Sequence, residues 1–385
     1  MSRRVPTDYA LVVGGWVEHL RAGGTTAWSR WSQAPAALAP DPLPDALHLE
    51  VLRRLNLASA AAGRPGPLGA LTDRVLATGA PGRGPVDVPL TWAPVLHGTP
   101  PRDPAALDVD QLLRLTTGVL AHLLPGVPPS TPAPPAPDPL PLPWRRRFQL
   151  HGSPLTAAAV RRGLRQQGLA ETSWRATHVV LALPLEAMMA EQWARRVRDG
   201  GPVALPAIWR RSVERDALPG DLQVTRTARR LVGQGRDVHV VVAPDAAHAA
   251  ATTARLLGAR PPGATPRTAT RTDVVRRVNR LTPLVAGPDR LRELARRLDT
   301  LLGDLEQTVP PPPAPAVPPR SRAWARQVAT SYAEELRGAG YPVHGDPGLL
   351  VPSGDRRGPS LDPAATLELA LAACLRADDL QRGTP

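Results

Sequence analysis

The chain has 385 residues, a net charge of +13 and a single Cys, a length that allows two or three domains with a sizeable core. It holds no apolar run of about 18 residues, which excludes a helical membrane span. The lone Cys374 excludes an intramolecular disulfide and fits a reducing, cytoplasmic setting; the nine His residues show no HxxxH or HExxH pairing, so no zinc site is expected.

The N-terminal MSRRVPTDYALVVGGWVEHL begins basic, but Asp8, Glu18 and His19 interrupt it, and no signal peptide is read. Residues 1–124 are predicted to be mainly helical. Tyr9–Leu20 forms the first helix, weakened by Gly14 and Gly15, and Trp16, Trp28 and Trp31 cluster around a Gly23–Thr26 turn. Asp45 is placed to cap a helix over Ala46–Leu57, where Leu47, Val51, Leu52 and Leu55 recur at helical spacing. A further helix is expected over Leu68–Ala77. Asp108 precedes another over Asp110–Leu124, carrying Leu112, Leu113, Leu115, Val119, Leu120 and Leu123.

Residues 125–143, PGVPPSTPAPPAPDPLPLP, are read as an extended polyproline-type linker. After it the pattern changes. A basic lead-in, Arg145–Arg147, enters a short apolar strand from Phe148 to Leu150, then Gly152-Ser153-Pro154, then an Ala-rich helix with Arg161, Arg162 and Arg165. Strand, Gly turn and helix start bring backbone N–H groups and the positive end of a helix dipole to one point, which is anion-binding geometry. Thr177–Leu183 and Asp237–Ala243 are continuous β-branched runs, as in strands buried on both faces of a parallel sheet. Helices over Leu185–Arg198 and Gly220–Gly233 lie between them, so residues 144–385 are expected to form a doubly wound α/β domain. The tail reads as helices over Thr272–Leu281, Asp289–Leu305, Ser321–Ala339 and Pro363–Ala377, with a second proline tract at Val309–Pro319.

All 47 cationic residues are Arg, Phe and Ile occur once each, and Asn twice, a bias that follows from GC-rich coding. Chemistry that needs an ammonium cannot operate here. The surplus is uneven: residues 144–309 carry 28 Arg against 15 acidic residues, whereas 1–124 carry 11 against 10. Such a field attracts a polyanion or another anionic partner.

On these residues the second segment, roughly 145–377, resembles the sulfotransferase-like P-loop proteins of actinobacteria, whose first loop reads approximately G-x-P-K-T-G-T-T before a helix. Gly152, Pro154 and Thr156 match that loop. Leu155 stands where the Lys belongs, Ala157 replaces the second Gly, and Ala158 and Ala159 replace the hydroxyl residues. Trp193 and the strand Val179–Leu183 keep the family's layout, yet Leu183-Pro184 falls where an Arg-Asp is expected. Val274–Leu281 and Trp324–Pro352 resemble its later helix and closing helix and loop. The resemblance implies a P-loop-like fold and a phosphosulfate cradle for PAPS (phosphoadenosine phosphosulfate), of which Gly152, Ser153, Pro154 and Thr156 are a vestigial anion loop. Loss of the Lys costs on the order of 3–4 kcal/mol of transition-state stabilisation, by analogy with one oxyanion donor.

Three functions follow as expectations. The first is a pseudoenzyme acting as a binding or scaffold module for a protein partner or an anionic ligand on its basic face, without catalytic residues, metal or cofactor. The second is an active PAPS-dependent sulfotransferase with a relocated cation, Arg161 or Arg162. The third is a polyanion or nucleic-acid binder built on 144–309.

Overall fold

The computed structural model describes residues 7–32, 46–79, 103–129, 146–262, 268–306, 315–352 and 361–383. In chain order the first elements are α1 (Thr7–Arg21), α2 (Trp28–Trp31), α3 (Ala46–Ala61), α4 (Ala70–Ala77) and α5 (Val109–Leu123). There follow β1 (Arg147–Gly152), α6 (Pro154–Gln166), β2 (Ala170–Glu171), β3 (Thr177–Ala182), α7 (Leu185–Arg198), α8 (Leu205–Glu214), α9 (Val224–Gly233) and β4 (Asp237–Val242). The last are α10 (Ala246–Leu256), α11 (Ala269–Val285), α12 (Leu291–Glu306), α13 (Arg322–Arg337), β5 (Val343–His344) and α14 (Pro363–Arg382). The Asp45 cap and residues 130–143 of the expected linker lie outside the described residues.

Two compact units form, and they do not follow the linear order expected from the sequence. One unit comprises residues 1–129, 273–308 and 362–385; the other comprises 130–272 and 309–361. The division into 1–124 and 144–385 is therefore corrected, and the reason is burial of α5. Its Leu112, Leu113, Leu115, Val119, Leu120 and Leu123 are all buried, and α14 packs on it with Leu367, Ala370, Leu371 and Cys374. Cys374 Sγ donates to Thr116 O at 3.7 Å, and Gln381 Nε2 donates to Leu123 O at 2.5 Å. The start of the proline tract is also packed rather than extended in solvent: Val127 is buried, and its carbonyl accepts from Arg297 Nη1 of α12.

Within this helical unit Asp108 caps α5 as its position suggests, accepting from Asp110 N at 3.0 Å. The Trp cluster also forms. Trp16 and Trp28 rings lie 5.2 Å apart, Trp16 Nε1 donates to Thr26 O, and His19 stacks on Trp31.

The other unit is α/β. Its five strands are all parallel in the order β2-β1-β3-β4-β5, compatible with the expected doubly wound fold. β2 and β5 are two residues each, too short for the sequence pattern to reveal. The order reverses at β1, so the carboxyl ends of β1 and β3 flank a topological switch point, where crevices form in such sheets. The register pairs His151 with Val180 and Gln149 with His178, so these four share one face of the sheet, while His239, paired with Val179, lies on the other.

By sequence the α/β unit carries 27 Arg against 14 acidic residues, whereas the helical unit balances 20 against 20. The whole surplus of +13 therefore resides in the α/β unit, although the Arg residues of α12 and most of α11 belong to the helical one.

Candidate functional site

Gly152–Thr156 makes the strand-to-helix turn expected of it. Gly152 ends β1 with φ at +90°, and a Cβ there would fall 2.0 Å from Leu181 O on β3, so only Gly lets the two strands approach. Ser153 N donates to that same Leu181 O at 3.1 Å. Helix α6 begins at Pro154, because Pro has no N–H to lose and a preset φ at a first helical position.

The donors of this turn are already used. Glu191, from the middle of α7, accepts from Leu155 N and Thr156 N through Oε2, both at 3.1 Å, and from Thr156 Oγ1 through Oε1. Pro154 has no N–H, and Ala157 N donates to Ser153 O at 2.8 Å. Burial pushes the Glu191 carboxyl up from its usual range, opposed by the Thr156 hydroxyl and the Thr156 and Leu155 amides. The loop expected to offer amides to an external phosphate or sulfate instead holds the chain's own carboxylate. Gly152, Ser153, Pro154 and Thr156, expected as a vestigial anion loop, thus form a turn whose Leu155 and Thr156 amides face Glu191. Ser153 Oγ, wholly buried, makes no hydrogen bond among the described residues.

Beside the loop, at the carboxyl end of β1, lies a cleft of about 860 Å³. Leu150, His151 and Gly152 of β1 and Pro154, Leu155, Ala157, Ala158 and Arg161 of α6 form one side. Arg195, Arg198 and Asp199 come from the end of α7, and Asp221, Gln223, Arg226, Thr227 and Arg230 from α9 and the turn before it. Helical spacing explains the convergence: 223, 226, 227 and 230 repeat at three and four residues, as do 195, 198 and 199. Arg161, one of the two substitute cations expected, is engaged by Glu171 at 2.5 Å and donates to Leu150 O. Arg195 pairs with Asp221 at 2.5 Å, and Arg226 donates to Gln223 Oε1 at 3.1 Å. Arg198 and Arg230 make no ion pair or hydrogen bond among the described residues.

His151 opens onto this cleft. Its Nε2 lies 3.2 Å from His178 Nδ1, with the rings nearly parallel at 7°, so one nitrogen donates to the other's lone pair. Burial first, then His178, Arg230 and Arg161, push His151 down to about 4; burial and Arg236 push His178 down. Both rings are neutral at physiological pH. A second pair, His239 and His344, sits on the opposite face with nitrogens 3.0 Å apart. The sequence carried a trace of these pairs, a His in β1, β3, β4 and β5, but only the register shows which rings meet.

The sign of the resulting pH dependence is set. A folded-state pKa near 4 against 6.5 unfolded means the unfolded chain binds the proton first, so stability is complete above about pH 6.5 and falls as pH drops towards 4. The loss from His151 is expected to be on the order of 2–3 kcal/mol. Denaturation midpoints at several pH values should show a shallower acid loss for His151→Gln than for the parent. Equal slopes would refute this assignment.

Two further residues marked in the sequence, Trp193 and Leu183, belong to the core. Trp193 is buried and donates to Val203 O at 2.8 Å, and Leu183 is buried after β3. No group of three His, Cys, Asp or Glu side chains among the described residues is arranged to hold a metal ion, and no helix among them is long and apolar enough to cross a membrane. No family model, curated protein or solved structure matches the chain.

Proposed function

We propose that the α/β unit is a non-catalytic, sulfotransferase-like binding module, a P-loop-like pseudoenzyme that has kept the loop's shape and lost its chemistry. The observation that carries this reading is Glu191 on the Leu155 and Thr156 amides. The Glu191 carboxyl group occupies the donors that the loop would otherwise turn towards a phosphosulfate. Where the family's loop has a Lys to neutralise developing charge, this chain has the apolar Leu155. The alternative of an active PAPS-dependent transferase needs a replacement cation, and Arg161 is held by Glu171 on the cleft wall.

The test is calorimetric titration with sulfate together with an assay for sulfuryl transfer from PAPS. The parent is expected to bind sulfate no better than about millimolar, roughly 4 kcal/mol, and to transfer no sulfuryl group. Glu191→Ala should uncover the two amides and gain measurable sulfate binding, whereas Glu191→Gln, which can still accept from them, should not. Sulfuryl transfer by the parent would overturn the proposal. A folded Glu191→Ala protein that gains no affinity would show that the carboxylate is not what closes the loop.

A further inference from the structure

We infer that the Arg-lined cleft is a binding site for a small organic phosphate carrying two or more negative charges, held by guanidinium groups and not by the loop amides. The inference rests on the reading that this unit binds without transferring. Five Arg against two Asp line the cleft, and Asp221 is committed to Arg195. Arg198 and Arg230 have no carboxylate partner among the described residues, and Arg226 hydrogen-bonds to the neutral Gln223. Three such forks around one cavity are an unbalanced arrangement that a compact oxyanion of matching charge completes, since planar guanidinium groups bind phosphate oxygens in pairs.

Two further features narrow the class. The volume of about 860 Å³ lies in the range of small-molecule sites, roughly 300–1,000 Å³, which favours a discrete ligand over a long polymer. The side formed by Leu150, Pro154, Leu155, Ala157 and Ala158 is apolar, so it suits an organic body attached to the charged end. His151, neutral between Arg161 and Arg230, adds polarity without further charge. Glu191 and the guanidinium groups thus divide the site: the loop amides are closed, and the unpaired charge lies on α7 and α9.

Titration calorimetry of the full chain at low salt distinguishes the sources of such an anion. A nucleoside diphosphate is expected to bind with a Kd of tens of micromolar, and inorganic pyrophosphate about tenfold more weakly because it lacks a body for the apolar side. Arg226→Gln combined with Arg230→Gln should weaken both by at least about tenfold, given what hydrogen bonds to charged groups contribute. Leu155→Glu should weaken the diphosphate too. Millimolar or absent binding of both phosphates would overturn the inference, as would indifference to the paired Arg substitution. So would a single-stranded oligonucleotide that binds more tightly than the diphosphate through other residues. Sulfuryl transfer by the parent, in contrast, would overturn the proposed function and leave this diphosphate result standing, so the two failures are distinguishable.

Discussion

Asp273→Ala is expected to lower the stability of the helical unit by about 3–5 kcal/mol, the usual loss when one partner of a buried ion pair is removed. Asp273 is buried at 3% exposure, and its two oxygens accept from Arg276 Nε at 2.7 Å and Arg277 Nε at 2.8 Å. Arg277 continues to Asp110 Oδ1 at 3.0 Å, which ties α11 to the first turn of α5. Arg276 is itself only 8% exposed, so removing the carboxylate strands a guanidinium out of water. Asp273→Asn should lose less, because its oxygen still accepts one bond. Urea denaturation followed by helical circular dichroism measures both, and an Ala variant within about 1 kcal/mol of the parent would show that the network is solvated.

Gly152→Ala should cost the α/β unit at least about 3 kcal/mol, combining left-handed backbone strain with a clash. The φ of +90° disfavours any Cβ, and this one would sit 2.0 Å from the Leu181 carbonyl, a backbone atom that cannot rotate away. Because Ser153 N bonds that carbonyl, separating the strands also breaks the turn that starts α6. Gly235→Ala is the control. It has φ at +68° but no heavy atom within 4 Å of a built Cβ, so it carries the strain alone, about 1–2 kcal/mol. Equal losses at the two positions would mean that β1 and β3 can part without penalty.

Most elements could be read from local pattern because local rules govern them. Apolar periodicity marked α5 and α7, β-branched runs marked β3 and β4, and Asp108 marked the cap it makes. Gly152 stood out at a position where a Cβ has no room. What the pattern missed depended on partners distant in sequence. Glu191 lies 35 residues beyond Thr156, in an Ala-Glu-Gln-Trp stretch that resembles any amphipathic helix. The cleft draws one helical face each from α6, α7 and α9, and no single segment shows the convergence.

The sequence by itself determined the class of the fold, the helical character of the N-terminal part, the exclusively Arg-based charge and the apolar Leu155 at the loop. Those are properties of composition and of neighbours within a few residues. Only the tertiary structure decided that α12, α14 and most of α11 join the N-terminal helices, that Glu191 closes the α6 turn, and that His151 meets His178. Each outcome depends on which apolar faces cover one another across tens to hundreds of residues. A carboxylate, an imidazole or a guanidinium then takes its role from the neighbours that this packing brings to it.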